Sequence, residues 1–397
     1  MRLLFVKPEL VWPRTSGHDV YCYYMMKALA EEGAEVSLAT VEETDPRAVD
    51  GVRLAHLWRL ADTLPAGVTP KRLPWAQERF RSFWGVSQAH IESVRAFTAS
   101  WRADVVIAFG LPALPFLAGA DDAVRVWAMA DEWVYHHLSL VRPLERETWQ
   151  HVKAAAIKGL YERAYSSLVD RAWAVSDTDV RAGRWLAGMK VVDLLPNGVD
   201  ADFYHPLDER VAPRTAVFWG RLDFEPNVDA LTWFCTRVWP ELRREAPDAR
   251  FTIIGYKPTP PVERLAGLPG VTLMPNVDDL RPTVCQHAAV ALPMINGGGI
   301  KNKLLEGAAM GRPIVCTPRA AMDLRSGGQL PFLVVEEPRD WVTGLLSLWN
   351  DEARRHELGR RAREWVQEYY SWAAPARNAL KAFRQSVDAQ HPSHDLA

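Results

Sequence analysis

Between residues 289 and 317 the chain reads AVALPMINGGGIKNKLLEGAAMGRPIVCT, which says more about this chain than the rest of it together. Residues 289–292 form an apolar run of buried-strand length, and Gly297, Gly298 and Gly299 follow it. A helix is expected from about Lys301 to Met310, and a second buried strand over residues 313–316. Two strands joined through a helix lie parallel in one sheet. Three glycines before a helix let a ligand approach free backbone N–H groups closely, and the positive end of the helix dipole points the same way. Lys301 and Lys303 add mobile positive charge there, and Glu306 sets a carboxylate further along the helix. The arrangement suits a ligand carrying both phosphates and hydroxyls. Strand–glycine–helix units also serve merely to make a turn, so the lysines and the glutamate carry the inference.

The same alternation runs through the chain. Residues 2–7 read as a strand, a loop holds Pro13, Ser16 and Gly17, and an amphipathic helix over 19–32 stops at Gly33 before a strand at 35–39. Further buried strands are expected at 104–109, 124–128, 171–175 and 191–195. A second series begins near Thr215, with strands at 216–219, 250–254, 271–274, 289–292, 314–316 and 332–334, and a helix over 228–246. The fold class that follows is α/β, with two Rossmann-like doubly wound domains facing a cleft. The expected division is 1–205 for an acceptor-side domain and 206–365 for a donor domain. Residues 366–397 are expected to form a helix that crosses back to the first domain, with a disordered tail from Asp388.

Composition narrows the partners. The 397 residues carry a formal net charge of −2, which gives no sign of bulk nucleic-acid binding. Cys22, Cys235, Cys285 and Cys316 are scattered, with no Cys-x-x-Cys pair, so neither a zinc site nor a disulfide framework is expected. No leader peptide and no transmembrane run is visible, and a cytoplasmic protein is expected. Residues 71–101 mix Arg72, Arg79, Arg81 and Arg95 with Trp75, Phe80, Phe83, Trp84 and Phe97. Such a segment either packs on the first sheet with a charged face in water or lies on an anionic membrane at its inner face.

Five motifs in order carry a resemblance: LPNGVDADFYHP (195–206), FWGRLDFEPNVDAL (218–231), PDARFTIIG (247–255), GVTLMPNVDDLRP (270–282) and GGGIKNKLLEGAAMGRPIV (297–315). Together they resemble the GT-B glycosyltransferases, specifically the large retaining group called family 4, strongly over the second half and weakly over the first. The resemblance implies a glycosyltransferase, with a hexosyl unit as cargo, that moves sugar from a nucleotide-sugar to a glycan, lipid-linked or small-molecule acceptor in polysaccharide or glycoconjugate assembly. The nucleotide-sugar would be a substrate, and neither a cofactor nor a metal is expected. Gly17 then meets the donor phosphates through its backbone, with His18 beside it. Arg221, after Gly220, grips the pyrophosphate, because planar guanidinium donors match phosphate oxygens in pairs. Glu306 accepts from ribose hydroxyls. Gly255 and Val277 border the base, while Gly298, Gly299 and Ile300 line the donor loop.

The chain departs from the family pattern in three places. The first glutamate of the Glu-x7-Glu motif falls at Gly298, and the lysine expected after Arg221 falls at Pro226. Lys301 or Lys303 is inferred to replace its charge. The histidine that commonly precedes an aspartate in the first half is Ala130, before Asp131. Asp131 follows a strand-like run and either orients an acceptor hydroxyl or caps a turn. Asp177-Thr178-Asp179 superficially resembles a metal-binding motif, but Ser176 with Asp179 reads as a helix start.

The catalytic set implied is Arg221, Lys301, Lys303 and Asp131. Sugar transfer needs stabilisation of a leaving diphosphate. No close pair of carboxylates marks a double displacement, so the resemblance implies front-face attack without a protein nucleophile. An epimerase on the same fold and a non-catalytic sugar-nucleotide or glycan binder remain open alternatives.

Overall fold

Seven parallel strands form the first sheet: β1 (Arg2–Lys7), β2 (Glu35–Thr40), β3 (Leu54–Arg59), β4 (Val105–Phe109), β5 (Val124–Ala130), β6 (Arg171–Ala174) and β7 (Val192–Leu194). Their order is β3-β2-β1-β4-β5-β6-β7. In β1, Leu4 and Val6 join one buried cluster and Leu3 and Phe5 another. Alternate side chains of a strand point to opposite faces, so both faces of this sheet are covered. The computed structural model describes residues 1–14, 16–130, 133–141 and 148–390.

The second sheet has six parallel strands: β8 (Ala212–Arg221), β9 (Arg250–Tyr256), β10 (Val271–Pro275), β11 (His287–Leu292), β12 (Ile314–Cys316) and β13 (Leu333–Val334), ordered β10-β9-β8-β11-β12-β13. Both sheets thus reverse direction of strand addition next to their first strand, the doubly wound arrangement expected from the alternation. The chain divides into two units, Met1–Pro196 with Trp372–Ala397, and Asn197–Ser371. The division therefore falls at Pro196 and Ser371 rather than after residues 205 and 365.

The C-terminal helix Ala373–Gln390 belongs to the N-terminal unit. Phe383 stacks on Trp173 with centroids 5.9 Å apart. Arg377 pairs with Glu32 at 2.8 Å, and Arg171 donates to Ser386 at 3.1 Å. The helix continues through Asp388, where a disordered tail was expected, and residues 391–397 lie outside the description.

Three further differences from the sequence reading have physical causes. β3 was not expected: in LAHLWR, His56 and Arg59 interrupt the apolar residues, and as an edge strand it leaves Ala55, His56, Leu57 and Arg59 exposed. The helix expected over 228–246 starts earlier, as Glu225–Trp233, with Pro226 in its first turn. It then widens into a π turn, Phe234–Val238, before continuing as Trp239–Glu245. Pro240 lacks an N–H and crowds the preceding turn, which the wider turn accommodates. The first helix begins at Gly17, capped by Ser16, rather than at Asp19.

Residues 71–101 form two helices, Trp75–Phe83 and Gln88–Trp101. Ser87 opens the second with reciprocal bonds: its hydroxyl accepts from the His90 N–H at 3.1 Å, and the His90 ring accepts from the Ser87 N–H at 3.2 Å. Ser176 likewise caps the helix Asp177–Trp185, accepting from the Asp179 N–H at 3.1 Å. Among the described residues no helix is long and apolar enough to cross a membrane.

Candidate functional site

In the C-terminal unit, Gly220 and Arg221 end β8, and the glycine loop follows β11, its neighbour in the sheet. These strands flank the point where strand order reverses, and ligands of doubly wound sheets bind beyond the carboxyl ends there. Gly220 pairs with Gly255 across β8 and β9. A Cβ on Gly255 would stand 1.8 Å from the Gly220 carbonyl oxygen, so the two backbones touch. Val277 follows β10, where the Asn276 N–H donates to the Gly255 carbonyl at 3.0 Å.

Gly220 has a φ of 150°, and a side chain on it would meet Asn227 Nδ2 at 3.0 Å and Lys303 Nζ at 3.4 Å. Its bareness leaves room for a linked set. Asn227 Nδ2 donates to the Arg221 carbonyl at 2.7 Å, and Lys303 Nζ donates to Asn227 Oδ1 at 2.6 Å. The Lys303 ammonium also lies 4.7 Å from the centroid of the Phe218 ring. Removal from water, with Lys301 adding repulsion, brings its pKa down to about 7, while Glu306 opposes the shift.

Glu306 is held from two sides. Trp219 Nε1 donates to its Oε2 at 2.7 Å, and the Tyr204 hydroxyl is a second hydrogen-bond partner. Burial raises the carboxyl pKa, while Trp219, Lys303 and Tyr204 pull it down. The helix Asn302–Ala309 starts from Lys301, whose ammonium donates to the carbonyls of Gly298 and Gly299. Ile300 is buried beneath this loop. The Arg221 guanidinium forms two bonds to the Asp223 carboxylate, at 3.0 and 2.9 Å. That pairing holds the Asp223 carboxyl below the usual carboxylate range.

The structure therefore gathers Gly220, Gly255, Lys303 and Glu306, with Arg221 joined to them through its backbone and Asn227. Lys301 is turned onto its own loop. Asn227, Trp219 and Tyr204 were not singled out from the sequence, although all three sit inside the motifs at 195–206 and 218–231. Their part is set by partners 76 and 87 positions away, for Asn227 and Trp219.

In the N-terminal unit a cavity of about 420 Å³ is lined by Lys7, His18, Trp84, His90, Phe109 and Trp133, among others. Lys7 and Phe109 end β1 and β4, so this cavity also lies at a point of strand-order reversal. Gly17 opens the first helix, and His18 stands edge-on to Phe109, centroids 6.2 Å apart, and tilted against Trp133 at 5.8 Å. Gly110, at a φ of 85°, keeps the wall beside the His18 ring open. Lys7 Nζ is neutralised by Asp19 Oδ1 at 2.7 Å. Asp131 lies outside the described residues. Among the described residues no group of three or more His, Cys, Asp or Glu is placed to hold a metal ion.

Residues 213–351 match the family model described as Glycosyl transferases group 1. Among solved structures, sucrose-phosphate synthase from Thermosynechococcus elongatus superposes with a TM-score of 0.72 at 15% identity, covering 98% of this chain and 99% of that one. TarM matches with a TM-score of 0.68 at 10% identity, over 96% and 98% of the two chains. HepE of Anabaena, in complex with UDP and glucose, matches with a TM-score of 0.65 at 12% identity, over 96% and 99%. No curated protein matches by sequence. The fold of this chain is that of the GT-B glycosyltransferases.

Proposed function

We propose that this chain, whose residues 213–351 match the glycosyl transferases group 1 model, is a retaining glycosyltransferase that draws on a nucleotide-sugar donor. The observation that carries the reading is the linked set at the end of β8: Lys303 held by Asn227 against Gly220, one helical turn from Glu306. An ammonium and a carboxylate so placed match a ligand with a diphosphate and vicinal hydroxyls. HepE, in complexes with UDP and with UDP-glucose, supports a donor of that class.

On this reading Glu306, fixed by Trp219 and Tyr204, accepts from the ribose hydroxyls. Lys303 and the N-terminus of the helix Asn302–Ala309 meet the diphosphate, with Lys301 and the N–H groups of Gly298, Gly299 and Ile300 beside them. Arg221 exchanges Asp223 for phosphate oxygens when the donor binds. Gly220, Gly255 and Val277 border the base. The bond from the sugar C1 to the phosphate oxygen breaks with the electron pair leaving on the diphosphate. The acceptor oxygen attacks C1 from the same face, and its proton passes to the departing phosphate oxygen. No protein nucleophile, resident cofactor or metal takes part in this scheme.

The acceptor is a glycan, free or lipid-linked, held in the N-terminal cavity, with His18 and the rings of Trp84 and Trp133 against it. Polysaccharide or glycoconjugate assembly follows as the setting. The test is a thermal-shift screen of nucleoside diphosphates and their sugars, followed by product analysis with the donor that stabilises. Stabilisation by one diphosphate family and transfer with retained anomeric configuration are expected. No stabilisation by any of them would sink the donor reading. Interconversion of the donor without transfer would point to an epimerase.

A further inference from the structure

Among the described residues, five large apolar side chains stand out from the surface: Trp75 at 79% exposure, Phe83 at 69%, Trp149 at 77%, Leu160 at 64% and Trp185 at 80%. All five belong to the N-terminal unit. Among the described residues of the C-terminal unit, no large apolar side chain exceeds the 44% of Phe203. They sit on three helices that are tied together: Trp75–Phe83, Thr148–Tyr165 and Asp177–Trp185. Arg163 donates to the carbonyls of Trp185 and Leu186 at 2.9 and 2.8 Å. Gln77 Nε2 donates to the Ala164 carbonyl at 2.8 Å, and the Tyr165 hydroxyl donates to the Gln77 carbonyl at 2.6 Å. Leu160 lies on the turn just before these ties, and Trp185, at the end of its helix, accepts one of them through its carbonyl.

The surface of these three helices is basic. Arg72, Arg79, Lys153, Arg181, Arg184 and Lys190 are exposed on the three helices or their immediate approaches. Of the acidic groups on these helices, Glu78 is paired with Arg81, and Glu162 and Asp179 are buried. Asp177 is exposed. Protruding tryptophans and a phenylalanine among cationic side chains fit the headgroup layer of a bilayer, where the rings enter the acyl boundary and the cations meet anionic lipid.

We propose that this face docks the protein on an anionic membrane surface. Phe83, at the end of the first helix, is followed directly by Trp84, Gly85 and Val86, which line the N-terminal cavity. Docking therefore sets that wall of the cavity at headgroup level and selects a lipid-linked acceptor. This last step rests on the acceptor role proposed for the cavity, whereas the docking itself does not.

The experiment is co-sedimentation of the full chain with vesicles of phosphatidylcholine, with and without phosphatidylglycerol. Binding to the anionic vesicles at low salt is expected, falling as salt screens the contact, with little binding to phosphatidylcholine alone. The combined variant Trp75→Ser, Phe83→Ser, Leu160→Ser and Trp185→Ser should lower partitioning at least about tenfold. Arg79→Glu with Lys153→Glu should lower it mainly at low salt. Unchanged melting curves check that both variants fold. Wild-type protein left in the supernatant at low salt would overturn the proposal, as would variants that bind like wild type. A solution dimer that the four serines convert to monomer, without vesicle binding, would assign the face to a second copy instead. Loss of nucleoside-diphosphate stabilisation in wild type would sink the donor reading and leave the docking result untouched.

Discussion

The ammonium of Lys303 donates to the side-chain oxygen of Asn227 at 2.6 Å, joining the start of one helix to the start of another 76 residues away. Asn227 spends its other end on the Arg221 carbonyl. This one amide fixes the Lys303 ammonium beside the bare Gly220. Lys303→Met should weaken nucleoside-diphosphate binding by about tenfold to a hundredfold, the worth of a charge-assisted bond to phosphate. Lys301→Met should cost less, because that ammonium is spent on the Gly298 and Gly299 carbonyls. Calorimetric titration of both variants decides between them.

The lowered pKa of Lys303, about 7, makes donor binding pH-dependent. Between that value and the ordinary lysine pKa, the unfolded chain holds a proton that the folded free protein does not. This group's contribution to stability therefore rises with pH across that window and is least favourable below pH 7. A bound diphosphate stabilises the ammonium and raises its pKa, so binding takes up a proton above pH 7. The dissociation constant should climb by up to about tenfold per pH unit above 7. Titrations across that range should give a steep profile for wild type and a flat one for Lys303→Met.

Glu306 receives the Trp219 indole N–H at 2.7 Å. Glu306→Gln keeps the shape but loses a charged acceptor, and should weaken nucleotide binding by about tenfold. Trp219→Phe leaves the carboxylate in place with one partner fewer. It should raise the dissociation constant less, with loss of stability near 1–3 kcal/mol. Binding titrations and urea unfolding of the pair separate the two effects.

Gly255→Ala would drive a methyl group into the Gly220 carbonyl oxygen, 1.8 Å from its ideal position. Backbone has to move to relieve that, so a loss of about 3 kcal/mol or more is expected. A lower urea midpoint, with nucleotide binding weakened as well, is the expected result.

Arg221 pairs with Asp223 on the surface, and such pairs contribute little to stability, about 0–1 kcal/mol. Arg221→Ala should leave the melting temperature nearly unchanged and slow sugar transfer by about a hundredfold or more. Near-normal turnover would remove Arg221 from the pyrophosphate site.

Much of the scaffold was legible because it is written locally. Apolar runs such as residues 3–6 and 289–292 mark strands buried on both faces, and Gly33 marks a helix end. β3 was missed because His56 and Arg59 interrupt its apolar residues, which the edge position leaves largely exposed. The break at residues 234–238 was missed because Pro240 can be absorbed by a wider turn as well as end a helix. The glycine loop, Lys303 and Glu306 could be read as candidates from their spacing alone. What spacing could not decide was partnership: that Arg221 turns to Asp223, that Lys301 folds onto its own loop, and that Asn227, Trp219 and Tyr204 hold the working groups. Those choices depend on which strand ends the parallel sheet sets side by side, and on the space left by a bare Gly220. Local sequence determines periodicity and turns, whereas the orientation of a charged side chain is settled by competition among neighbours that only the folded chain brings within reach.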